Sequence, residues 1–144
     1  MPRYRGAVTP DEAHAVQLLH RTLGSKDTDF AISENQDDGS PTGLRRGGVP
    51  LHSHRSEDEG WYVLSGKLRF LFGAREFEAP AGTAVLLPRG TPHTFWNPGP
   101  EPARYLLIVR PKTAALLQAL HSPDRPQSIS RRDLYASFDV DLLE

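Results

Sequence analysis

His52 and His54 stand two residues apart, a spacing that suits joint chemistry. In an extended strand, side chains at i and i+2 leave the same face with Cα atoms about 6.5–7 Å apart, so two imidazoles can converge on one ion. Glu59 follows His54 after four residues, enough for a turn or bulge to return a carboxylate beside the pair. His93 opens a later segment, directly after the turn sequence Pro88-Arg89-Gly90-Thr91-Pro92. Were all four to meet, three nitrogens and one carboxylate would favour Mn, Fe, Co, Ni or Zn over Ca or Mg. Glu57 and Asp58 compete with Glu59 for the carboxylate role. A run of acids is usually a solvated turn, and two of these three are expected to be exposed.

These residues need strands to hold them, and the middle of the chain supplies the pattern. From Gly60 to Val109, short runs rich in Val, Leu, Phe, Tyr and Trp alternate with turn residues, the rhythm of a sandwich or barrel. Trp61–Leu64 and Leu68–Phe72 flank Ser65-Gly66, and Gly73-Ala74 separates Phe72 from Arg75 with the glycine first, as a type II′ turn requires. Two successive hairpins are therefore expected. Further strands are predicted at Ala84–Leu87, His93–Asn97 and Ala103–Val109, with prolines between them excluding a continuous helix. Upstream, Thr9-Pro10-Asp11-Glu12 is a helix start, Val16–Leu23 fits helix and strand equally, and Asp29–Gln36 reads as a strand. A polar loop, Asp37–Gly48, leads to the histidines. Downstream, helices are expected at Thr113–His121, with Ala114, Leu117 and Leu120 as the buried stripe, and at Arg131–Phe138.

Composition narrows the classes. With 144 residues the chain is expected to form a single domain. Lys+Arg 17 against Asp+Glu 18 gives a net charge of -1, which argues against nucleic acid as a partner. Cysteine is absent, so disulfides, thiolate ligands and a cysteine nucleophile are excluded. The longest apolar run is Tyr105–Val109, far short of a membrane span, and the start of the sequence has no apolar signal region. A soluble, cytoplasmic protein without a membrane partner is expected. No G-x-S-x-G elbow is present for serine hydrolase chemistry.

The spacing of the candidate residues resembles the two motifs of the cupin superfamily. His52-Ser53-His54, four residues, Glu59, six residues and Gly66 match the first. Gly82, five residues, Pro88-x-Gly90, two residues, His93, three residues and Asn97 match the second, 15 residues further on. The motif's opening glycine would fall at Arg46, with Gly47 and Gly48 just after it. The resemblance implies an all-β fold, the cupin double-stranded β-helix or jelly-roll barrel, here with short C-terminal helices. It implies a single cupin domain over 1–144, with a core barrel at about 45–110, an N-terminal arm at 1–44 and a C-terminal helical segment at 111–144.

The resemblance also makes His52, His54, Glu59 and His93 ligands of one divalent transition metal ion, Fe, Ni, Mn, Co or Zn. Glu59 then has a second, catalytic role as a general base, its pKa expected to be raised by burial. Trp61, Val63, Phe70, Phe95 and Asn97 are candidate pocket residues. His20 joins them because the N-terminal segment of small cupins can line the barrel, whereas His14 and His121 are read as surface or packed residues. Arg45-Arg46 and Arg131-Arg132 read as solvated basic pairs. The local sequence is similar to single-domain cupins related to quercetin dioxygenase and to small polyketide cyclases. The expected function is a metal-dependent dioxygenase acting on a small aromatic or polyketide-like molecule. The alternatives are a metal-dependent cyclase, isomerase or lyase, and a non-catalytic ligand-binding cupin. Outward apolar residues Tyr62, Leu64 and Trp96 suggest a homodimer.

Overall fold

The computed structural model describes residues 17–18, 21–39, 49–125 and 128–144. The expected helix start at Thr9, as well as His14, His20, Arg45, Arg46, Gly47 and Gly48, lies outside the described residues. The elements are β1 (Thr22–Leu23), β2 (Ala31–Asp37), β3 (His52–His54), β4 (Glu59–Ser65), β5 (Lys67–Phe72), β6 (Arg75–Pro80), β7 (Ala84–Leu87), β8 (His93–Trp96), β9 (Ala103–Val109), α1 (Pro111–Leu120), α2 (Arg131–Ala136) and β10 (Val140–Leu142). They form two antiparallel five-stranded sheets, ordered β1-β2-β9-β4-β7 and β10-β3-β8-β5-β6. This is the all-β, jelly-roll arrangement of a double-stranded β-helix with short helices appended.

Period-2 alternation sets which side chains enter the space between the sheets. On β4, Glu59, Trp61 and Val63 are buried while Tyr62 and Leu64 are exposed. On β9, Ala103, Tyr105, Leu107 and Val109 are buried, and on β5, Leu68 and Phe70. The buried apolar residues of these strands, with Ala31, Ala79, Val85, Leu87 and Ala114, form one core cluster.

One of the two expected hairpins is present. β5 and β6 pair through Phe72↔Arg75 around Gly73, whose φ of 59° fits the predicted turn. At Ser65-Gly66 no hairpin forms: β4 pairs with β7 and β9, β5 pairs with β6 and β8, and the chain passes from one sheet to the other. Gly66 makes this corner possible. Its φ is 71°, and a Cβ there would lie 2.5 Å from the Pro102 carbonyl oxygen.

Beyond the expected 45–110 core, the sheets continue in both directions. β2 pairs with β9 from Ala31↔Val109 to Asp37↔Ala103, and within the undecided stretch before it the described residues Thr22–Leu23 form the two-residue strand β1. The segment after 110 is not wholly helical, because Val140–Leu142 forms a strand on β3 with Val140↔His54 and Leu142↔His52. α2 is shorter than expected and is capped by Ser130, which accepts from the Asp133 amide at 3.1 Å. α1 buries Thr113, Ala114 and Leu116 rather than a simple Ala114-Leu117-Leu120 stripe, since it sits between two clusters. Leu117 packs on the main core, and Leu116 joins Leu134, Tyr135, Val140 and Leu142 in a second one. Tyr62 and Leu64 do not share a sheet with Trp96, which lies on β8.

Candidate metal centre

Three imidazoles enter the interior from one sheet and a carboxylate from the other. β3 places His52 and His54 on its buried face, and β8 places His93 directly opposite His52 in register. Their rings lie 4.1 Å apart between centroids. Glu59 opens β4, in the facing sheet. All four are buried, and one ligand atom from each falls within 4.8 Å of all the others. Glu59 Oε2 lies 3.0 Å from His54 Nε2 and 3.4 Å from His93 Nε2.

The second nitrogen of each ring explains which atom faces the centre. His52 Nδ1 lies 2.7 Å from the Pro50 carbonyl oxygen, and His93 Nδ1 lies 3.0 Å from that of Thr91. A carbonyl only accepts, so both Nδ1 atoms carry hydrogen and donate. His54 Nδ1 lies 3.1 Å from Thr113 Oγ1, whose own hydrogen is donated to Glu57 Oε1 at 2.8 Å. His54 Nδ1 therefore donates too. In the neutral rings every Nε2 is left with a lone pair directed at its neighbours, the pattern of imidazoles held for a metal.

The atoms left over fit the same chemistry. Among the described residues, His54 Nε2, His93 Nε2 and Glu59 Oε2 are buried without a hydrogen-bond partner. Buried polar atoms without partners are costly, and lone pairs converging at these distances call for a cation. The cluster is compatible with a metal ion, and its nitrogen-rich donor set suits a divalent transition metal.

Electrostatics distinguish the four groups. Burial and the neighbouring charge of His93 push His52 down to about 4, against the opposing pull of Glu59. For His54, burial works downward, but the Glu59 contact and the charges of Glu59 and Glu57 leave it raised. The raised pKa expected for Glu59 is not found. Burial does push it up, but His54 and His93 beside the carboxyl outweigh that and hold it below the usual carboxylate range.

Around the cluster stands an aromatic wall. Trp61 lies 6.1 Å and Phe72 6.3 Å from His93 between ring centroids, with Phe70 and Phe95 packed on Trp61. Val63 is fully buried in the same core. The Asn97 side chain is committed elsewhere: its amide donates to the Asp37 and Glu101 carbonyls and its oxygen accepts from Gly99. Tyr135 reaches His52 from α2, at 6.3 Å. An open depression of about 450 Å³ lies on the other side of the first sheet, where Phe30, Tyr62, Leu86 and Ile108 line it.

Glu57 is a correction to the expected solvated turn. It is 7% exposed, and only Asp58 of its acidic neighbours is turned toward solvent, where it pairs with Arg89. The pairing of Glu57 with Thr113 is not legible in sequence, because they meet across 56 residues.

Residues 45–109 match the family of the Cupin domain. This stretch is a cupin domain. The cupin domain holds all four clustered residues. A protein of Methanocaldococcus jannaschii, itself uncharacterized, is 31% identical over 61 residues, covering 42% of this chain and 49% of its own length. The match thus spans about half of that curated relative. Among solved structures, a conserved double-stranded β-helix protein from Klebsiella pneumoniae is 24% identical, with a TM-score of 0.48 over 60% of this chain and 70% of its own. A putative sugar phosphate isomerase from Acidithiobacillus ferrooxidans is 26% identical, with a TM-score of 0.47 over 58% of this chain and 51% of its own. No helix among the described residues is long and apolar enough to cross a membrane.

Proposed function

We propose that His52, His54, Glu59 and His93 hold one divalent transition metal ion and that this cupin is a metal-dependent enzyme acting on a small aromatic or polyketide-like molecule, as a dioxygenase of quercetinase-like type. The observation that carries the proposal is the pinning of all three Nδ1–H groups, which leaves three Nε2 lone pairs and a carboxylate facing one another in a buried space. When bound, such an ion supplies a Lewis acid and a centre for dioxygen chemistry. The chain's own groups do the rest. Glu59 is buried and, among the described residues, the sole carboxylate of the cluster, and that placement makes it the candidate acceptor for a proton from a substrate hydroxyl, even though His54 and His93 hold its pKa low and so make it a weaker base than an ordinary carboxylate. Trp61 and Phe72 give flat apolar surface beside His93, with Phe95 packed on Trp61 behind them, suited to an aromatic substrate and to exclusion of water.

The test is an oxygen-electrode assay of the metal-loaded protein against flavonols and polyketide-like phenols. Oxygen consumption coupled to substrate loss is expected, whereas turnover continuing under strict anaerobiosis would contradict the dioxygenase reading. Glu59→Gln should retain metal and lose turnover; a native rate would remove the general-base role. The proposal includes a cytoplasmic, single-domain protein that forms a homodimer through the outer face of the first sheet. Phe30, Tyr62, Leu64 and Leu86 are exposed on that side of the barrel. Light scattering at micromolar concentration should give a dimer, and a monomer would contradict this part.

A further inference from the structure

α1 begins without a local cap: the Arg110 side chain makes no capping bond, and the first-turn N–H groups of Lys112 and Thr113 need acceptors. Glu57, from the loop between β3 and β4, supplies them. Its Oε2 accepts from the Lys112 amide at 2.8 Å and its Oε1 from the Thr113 amide at 2.7 Å. The same Oε1 takes the Thr113 hydroxyl hydrogen at 2.8 Å, which turns the Oγ1 lone pairs toward His54 Nδ1. His52 and His93 each donate to a backbone carbonyl two residues upstream in their own segment. His54 instead donates to a side chain on a helix 59 residues away.

We propose that Thr113, oriented by Glu57, is a positioning residue that fixes the ring and tautomer of His54, coupling the seating of α1 to the geometry of the metal site. A hydroxyl whose hydrogen is committed to a carboxylate can only accept from the imidazole, so the Nε2 lone pair of His54 is kept on the cluster side. Without the hydroxyl, His54 Nδ1 loses its acceptor, and the tautomer with hydrogen on Nε2 gains a partner in Glu59. That tautomer cannot bind a cation through Nε2. The inference rests on the metal reading above, but its first consequence concerns the metal-free ring.

The experiment compares the full-length protein with Thr113→Val, Thr113→Ala and Thr113→Ser. Long-range ¹H–¹⁵N NMR of the metal-free proteins, at a pH high enough that all three rings are neutral, reads each histidine tautomer, and competition titration with Co(II) reads affinity. Thr113→Val should convert His54 to a mixed or Nε2–H tautomer with His52 and His93 unchanged, and weaken Co(II) binding about 10–100-fold. Thr113→Ser should restore both. Thr113→Ala, with less steric demand, carries the test if the valine variant does not fold. A His54 ring that stays Nδ1–H without the hydroxyl, or Co(II) affinity unchanged in Thr113→Val or Thr113→Ala, would overturn the proposal. Failure of the unsubstituted protein to bind Co(II) would overturn the metal reading and the coupling with it, while the tautomer readout would still show separately whether Thr113 orients the ring.

Discussion

The histidine end of the barrel is buried throughout, whereas its aromatic end grades from the fully buried Trp61 and Phe70 to the partly buried Phe77 and Phe95, and the two are held by different forces. Among the aromatics, Trp61, Phe70, Phe77 and Phe95 meet through ring contacts at 5.1–5.7 Å, and no single partner decides where a ring sits. At the other end each imidazole has one named acceptor, Pro50, Thr91 or Thr113, that dictates its orientation. Packing is non-directional and tolerates redistribution of volume, whereas a buried hydrogen bond is directional. Substitutions in the aromatic wall should therefore act on stability, and those at the histidines on metal affinity.

The largest expected break comes at the aromatic end. Phe70→Ala removes a fully buried ring and should cost about 3–5 kcal/mol, lowering the melting temperature by about 10 °C, while the folded fraction still binds metal. Calorimetry with metal titration checks both halves. Next comes pH in the metal-free protein. The folded-state pKa of His52 lies near 4, below the 6.5 of an ordinary histidine, so the unfolded chain takes up the proton first as pH falls. The stability due to neutral His52 is present above 6.5 and declines toward 4, by up to about 3 kcal/mol. His54 has the opposite sign: its pKa is raised, so its contribution is present in full below 6.5 and is lost as pH rises through the folded value. Denaturant melts between pH 6.5 and 4.5 should show the decline, and His52→Asn should flatten it.

His52→Ala is expected to weaken metal binding about 100-fold or more, a loss measurable by chelator competition, with less effect on folding than Phe70→Ala. The smallest effect belongs to the outer surface. Leu86 is 70% exposed, so Leu86→Ser should change monomer stability by less than about 0.5 kcal/mol, as read by urea melts at low concentration.

Much of this contrast was legible in the residue order. The strands β4 to β9 follow from alternation between turn signals, and β9 spans Ala103–Val109 as expected. The His-x-His pair, Glu59 and His93 do come together in the interior because each lies on an inward strand position. What alternation cannot encode is the partner of a strand. Ser65-Gly66 has hairpin chemistry locally, but β4 and β5 find better partners in separate sheets, a non-local outcome. Val140-Asp141-Leu142 is too short for its period to be distinguished, and it becomes a strand because β3 offers an open edge. Glu57 reads as one more acid in a polar turn until α1 brings two amides and a hydroxyl to it.

The claim on which all else depends is that four buried donors form a cation site. Metal-free protein titrated with Co(II), Ni(II), Fe(II), Mn(II) and Zn(II), followed by melting temperature and by elemental analysis after gel filtration, tests it most directly. The account predicts about one ion retained per chain and a higher melting temperature with at least one of these metals, since a ligand that binds only the folded state at about 100 times its Kd adds about 2.7 kcal/mol. No retained ion and an unchanged melting temperature across the series would contradict it.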